Sequence, residues 1–154
     1  DFRGETVLLQ KVIDAQPAVL AHNLETVNRL TSRVRDPRAG YEQSLQVLKN
    51  LKTQGVGAYT KSSLMLGLGE DHEEILQAMH DLRQVGVDFL TLGQYLQPTR
   101  KHLKVEKYLT PETFEELAEE GRRMGFDYVA SGPLVRSSYR AAEFYIERKI
   151  RRET

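Results

Sequence analysis

Four short polar clusters in a chain of 154 residues carry side chains able to do chemistry. In His22-Asn23-Leu24-Glu25-Thr26 an amide and a carboxylate flank a leucine, a pair suited to gripping the vicinal hydroxyls of a polyol such as a ribose. The plainer reading is a loop whose Asn23 and Thr26 cap the next segment. Gly67-Leu68-Gly69-Glu70 would admit a ligand close to the main chain, or be an ordinary strand-to-helix turn. It is not a full GxGxxG, it lacks the acidic residue expected about 20 positions on, and Asp71, Glu73 and Glu74 after it have the wrong charge for a phosphate site. Arg100, Lys101, His102, Lys104 and Lys107 form either a solvated loop or a surface for an acidic partner. Arg136-Ser137-Ser138-Tyr139 sets an arginine beside two hydroxyls after Gly132-Pro133, where the alternative is an N-cap for a final helix. The four His residues show no metal-binding spacing. The absence of Cys removes disulfides, thiolate nucleophiles and, in this chain alone, an all-cysteine iron–sulfur site.

These clusters must be positioned by the elements between them. Val7, Leu8, Val12 and Ile13 fall at helical spacing, Pro17 ends that helix, and Ala18-Val19-Leu20-Ala21 reads as a short buried strand. Leu45, Val47, Leu48 and Leu51 predict a helix over Tyr41 to Gln54, closed by Gly55 and followed by a strand-like run from Ala58 to Leu68. Acidic residues open the next helix, Asp71 to Val85, which stops at Gly86 before the strand Phe89-Leu90-Thr91-Leu92. Three strand–helix units imply a parallel sheet with polar residues at the strands' C-terminal ends, as on the active face of an α/β barrel, yet are too few to close a ring. Thr99 to Tyr108 is irregular, and Thr110-Pro111-Glu112 starts a capped helix with Phe114, Leu117, Ala118 and Met124 on its core face. An extended stretch, Tyr128 to Val135, and a charged helix from Tyr139 to about Arg151 complete the pattern.

Composition narrows the class further. With 22 basic residues against 22 acidic ones the net charge is zero, which disfavours a phosphate-backbone binder, so no nucleic acid is expected. A 40% hydrophobic content supports one globular core and argues against disorder. No apolar run approaches the roughly 20 residues of a membrane span. Asp1-Phe2-Arg3-Gly4 runs straight into a helical pattern without a Met, as a piece cut from a longer chain would.

His22 to Thr26, Lys61-Ser62-Ser63-Leu64-Met65-Leu66-Gly67-Leu68-Gly69-Glu70, Gly93-Gln94-Tyr95-Leu96-Gln97-Pro98-Thr99 and Gly132 to Tyr139 together resemble, in order and spacing, the lipoyl synthases, a family of radical S-adenosylmethionine enzymes. The resemblance runs from Asp1 to about Ile150 and identifies the chain as a C-terminal half. It implies an α/β fold: residues 1–98 are strands four to six of a partial (β/α)6 barrel, and residues 99–154 are an extension carrying the Arg-Ser-Ser-Tyr motif. It implies a sulfurtransferase that inserts sulfur at the sixth and eighth carbons of a protein-bound octanoyl group. Its cofactors would be S-adenosylmethionine and two 4Fe–4S clusters, one cleaving S-adenosylmethionine and one sacrificed as the sulfur source. Partners would be the octanoylated carrier domains of 2-oxoacid dehydrogenases and of the glycine cleavage system, and the location cytoplasmic in a bacterium or organellar in a eukaryote.

Site residues follow from the same resemblance. Asn23 and Glu25 match the fourth-strand motif that holds the ribose of S-adenosylmethionine. Gly67 and Glu70 match the fifth-strand GxIxGxxE, with Met65 in the Ile position and Ser63 in place of the first Gly. Lys61 would neutralise the ligand's carboxylate, or else form an ordinary ion pair. Ser138 would be the non-cysteine ligand of the auxiliary cluster. The six cluster cysteines of the family are absent, so this polypeptide alone is expected to be inactive. The competing readings are a scaffold that binds the octanoylated carrier domain without catalysis and a metabolite-binding barrel fragment.

Overall fold

The computed structural model describes residues 1–138; Tyr139 and the helix expected after it lie outside the described residues. Helix α1 (Thr6–Asp14) leads to strand β1 (Val19–Ala21). A 3-10 turn at Phe2–Gly4 precedes α1; a second at Asn28–Leu30 and the short α2 (Thr31–Val34) follow β1, then α3 (Tyr41–Gln54), β2 (Tyr59–Leu66), α4 (His72–Gln84), β3 (Phe89–Gln94), α5 (Pro111–Arg123) and β4 (Tyr128–Gly132).

Local chemistry explains the helix ends. Asp71 caps α4 in a reciprocal box, its side chain accepting from the Glu74 amide while the Glu74 carboxylate accepts from the Asp71 amide. The Thr110 hydroxyl accepts from the Thr113 amide, with Pro111 at the first helical position of α5. Ile75, Ala78, Met79 and Leu82 recur at helical spacing and are the buried residues of α4.

The strands form one parallel sheet in the order β1-β2-β3-β4. The fourth strand lies beyond residue 98, in what the sequence reads only as an extended stretch: Phe89 to Gly93 pair with Tyr128 to Gly132. Parallel strands in sequential order, joined by right-handed crossovers, send every connecting helix to the same face. That face holds the main core, where Leu64, Leu66, Leu90 and Leu92 meet Met79, Leu82, Phe114 and Leu117. Helix α1 adds a satellite in which Leu9 packs with Leu20, Val47 and Leu51. The opposite face carries a small cluster of Tyr59, Phe89, Ala130 and Val135, with the Tyr59 and Phe89 rings stacked at 4.9 Å. Beyond that apolar floor, toward the C-terminal ends of the strands, the inner face turns polar.

Candidate functional site

Two adjoining depressions occupy this polar end. One, of about 560 Å3, is lined by Val19, Ala21, His22, Asn23, Glu25, Arg35, Lys61, Ser137 and Ser138. The other, about 310 Å3, shares Asn23, Glu25 and Ser137 and adds Ser63, Met65, Gly93, Tyr95 and Leu96 among its walls.

The chain leaving β1 explains how Asn23 and Glu25 reach the cleft. The His22 amide donates to the Lys61 carbonyl, the Glu25 amide to the Ser63 carbonyl at 2.9 Å, and the Met65 amide to the Glu25 carbonyl at 2.8 Å. These ladder bonds hold Glu25 at φ +71°, a left-handed conformation that a non-glycine residue keeps only where its surroundings impose it. The Asn23 side-chain amide donates to the Glu25 carboxylate at 3.1 Å. Neither Asn23 nor Thr26 acts as a helix cap: Val27 precedes the next turn without a side-chain cap bond. The Thr26 hydroxyl is buried with no hydrogen-bond partner among the described residues.

Lys61 projects from β2 and is 3% exposed. Its amine donates to the Ser137 carbonyl and approaches the Thr91 hydroxyl at 3.5 Å, and no carboxylate lies within ion-pair distance of it among the described residues. Burial lowers its pKa to about 8, with Glu25 pulling the other way.

Gly67 and Glu70 stand apart from the cleft, in the turn that ends β2. The Glu70 carboxylate accepts from the Gly67 amide and, at 2.9 Å, from the Leu68 amide. The close approach at Gly67 is made by the chain itself, since a Cβ there would lie 2.3 Å from the Lys107 carbonyl. The structure therefore gathers Asn23, Glu25, Lys61 and Ser138 around one cleft and leaves Gly67 and Glu70 outside its lining.

Sequence reasoning missed His22 and Arg35. Both bond to the buried Ser44 hydroxyl, His22 Nε2 at 3.0 Å and the Arg35 guanidinium at 2.7 Å. Burial, with positive charge from Arg35, lowers the His22 pKa to about 4. It missed equally what Gln94, Tyr95 and Gln97 do. Gln94 accepts from the Leu109 amide at 3.0 Å and donates to the Lys107 carbonyl at 3.1 Å. The Tyr95 hydroxyl donates to the Leu103 carbonyl at 2.9 Å and Gln97 to the His102 carbonyl at 2.8 Å. The basic loop is thus bound down through its backbone.

Comparison with known proteins places the chain in a family. A family model described as the radical SAM superfamily matches residues 2–82, over half of the chain. Lipoyl synthase 1, chloroplastic, of Zea mays is 58% identical over 151 residues, covering 98% of this chain and 42% of the relative. The mitochondrial lipoyl synthase of Branchiostoma floridae is 57% identical over 153 residues, covering 99% and 41%. This chain thus spans about two fifths of the length of the curated relatives it matches. The superfamily implies S-adenosylmethionine and an iron–sulfur cluster, for which this chain holds no cysteine. The parallel four-stranded α/β sheet and the match over residues 2–82, β1 and nearly all of α4 included, lead to one assignment: the chain belongs to the radical SAM superfamily and, within it, aligns along nearly its whole length with the lipoyl synthases.

Proposed function

We propose that this chain is the part of a lipoyl synthase that cradles S-adenosylmethionine and presents one oxygen donor to the auxiliary cluster. The observation that carries the reading is the Asn23–Glu25 pair, hydrogen-bonded to each other beside the buried Lys61 in an open cleft. The donor set fits the ligand. Among the described residues nothing occupies the second Glu25 carboxylate oxygen or the Asn23 side-chain carbonyl, so both are available to a vicinal diol. Lys61 has three ammonium protons, and at most two meet acceptors among the described residues. The third suits a ligand carboxylate. Gly67 and Glu70 support the same site at one remove, by fixing the turn at the end of β2.

The clusters themselves do not fit this chain, because iron–sulfur sites are built on thiolates and the sequence has none. Ser138, exposed at the cleft, is the hard oxygen donor this segment offers to a site completed by residues elsewhere in the full-length protein. Asn23, Glu25 and Lys61 would hold S-adenosylmethionine, which would supply the radical chemistry needed at the octanoyl chain. This chain's contribution is to bind, orient and exclude water, which is what abstraction from an unactivated methylene requires of a protein. The substrate is an octanoylated carrier domain, and the exposed cations from Arg100 to Lys107 suit an acidic face on it. An organellar location in a eukaryotic source is supported by the names of the chloroplastic and mitochondrial relatives.

The test is Glu25→Ala in the full-length protein. Affinity for S-adenosylmethionine should fall by about 1–3 kcal/mol, the worth of a charge-assisted hydrogen bond, with cluster content and melting unchanged. A variant that melts early but binds normally in its folded fraction would make Glu25 a structural residue and overturn the reading.

A further inference from the structure

The chain beyond β4 turns back across the open face of the sheet, held there by contacts of different kinds. The Val135 amide donates to the Gly132 carbonyl, closing a turn through Pro133 and Leu134. The Val135 side chain then drops onto Tyr59, Phe89 and Ala130. The Val135 carbonyl passes directly over Gly93, where a Cβ would lie 2.1 Å from its oxygen. Arg136 spends its guanidinium on the carbonyls of its own segment, at 2.7 Å to Val135 and 3.3 Å to Pro133. The next carbonyl, that of Ser137, receives the Lys61 amine.

We infer that Lys61 is a positioning residue that latches the Arg136-Ser137-Ser138 segment across the sheet and so sets where Ser138 stands relative to the Asn23–Glu25 pair. The physical argument is one of alternatives. A lysine 3% exposed on an inner strand face needs acceptors for its ammonium, and the described residues offer it no carboxylate within ion-pair distance, only the Ser137 carbonyl and the more distant Thr91 hydroxyl. The Ser137 carbonyl in turn has no strand to pair with, because the segment runs over the face of the sheet and not along its edge. Each group satisfies the other, and two residues 76 positions apart in the chain are tied into one unit. The latch depends on the lipoyl synthase reading only for what Ser138 does, and its test uses neither ligand nor cluster, so the two fail separately.

Hydrogen exchange of the full-length protein, read by mass spectrometry, tests it. In Lys61→Met the amides of residues 134–138 should exchange about tenfold faster, as expected for loss of a buried hydrogen bond, with α4 unaffected. Lys61→Arg, which keeps a cationic donor, should recover most of the protection. Should Lys61→Met not fold, chemical labelling reads the same contact from the other side. Lys61 in the unaltered protein should resist acylation that modifies exposed Lys101, and Gly93→Ala, whose new methyl must lift the Val135 backbone, should make Lys61 reactive. Unchanged exchange at residues 134–138 in a folded Lys61→Met, or acylation of Lys61 as fast as Lys101 without any substitution, would overturn the latch.

Discussion

At the scale of single residues the cleft depends on groups held in one protonation state. His22 is native as the neutral imidazole: burial lowers its pKa from 6.5 to about 4, so the unfolded chain takes up a proton near pH 6.5 and the folded one does not until about pH 4. Between those values the unfolded state binds more protons, and stability falls as pH falls. We expect this residue to remove about 1–2 kcal/mol of stability between pH 7 and pH 5, allowing for partial exposure. Urea melts of the protein and of His22→Gln at both pH values check it; the variant should show the flatter dependence. Little of this could be read in advance. Asn23 and Glu25 could be singled out together because they stand two residues apart, though not that they bond to each other, whereas the Ser44 hydroxyl that joins His22 to Arg35 lies 22 residues from one and nine from the other.

At the scale of elements, Asp88 ties three of them together. Its carboxylate takes both bonds of the Lys52 amine, at 2.8 and 2.7 Å, and accepts from the Thr60 amide at 2.7 Å, joining α3 to the start of β2 just before β3 begins. Asp88→Ala leaves the buried Thr60 amide without an acceptor and should destabilise by about 1–3 kcal/mol in chemical denaturation. Asp88→Asn retains an oxygen and should lose less, and equal losses would mean that the ion pair dominates. Helices α3 and α5 were legible to within a residue because periodicity and caps are local: Leu45, Leu48 and Leu51 before Gly55, and Thr110-Pro111 before Phe114. The 3-10 turn at Asn28–Leu30 and the four-residue α2 were not, being too short to show a period. Strand β4 was legible as extended chain but not as a member of the sheet, since its pairing with β3 spans the whole of α5 and the loop before it.

At the scale of the whole molecule, the sheet has two edges, and neither β1 nor β4 has a second neighbour among the described residues. The open edge of β1 among the described residues, together with exposed Val7 and Val12, favours pairing with another copy. Sedimentation velocity on the 154-residue chain should therefore show concentration-dependent self-association; a single monomeric boundary at every concentration would refute this. The loop from residue 99 to 108 has no such freedom to find partners by rearrangement. Gln94, Tyr95, Gln97 and the Gly67 carbonyl have already bound its backbone. An irregular loop ordinarily surrenders conformational entropy when something binds it. This one surrendered much of its backbone share on folding, so a partner docking on Arg100, Lys101 and Lys104 would have their exposed side chains to order and little of the chain that carries them.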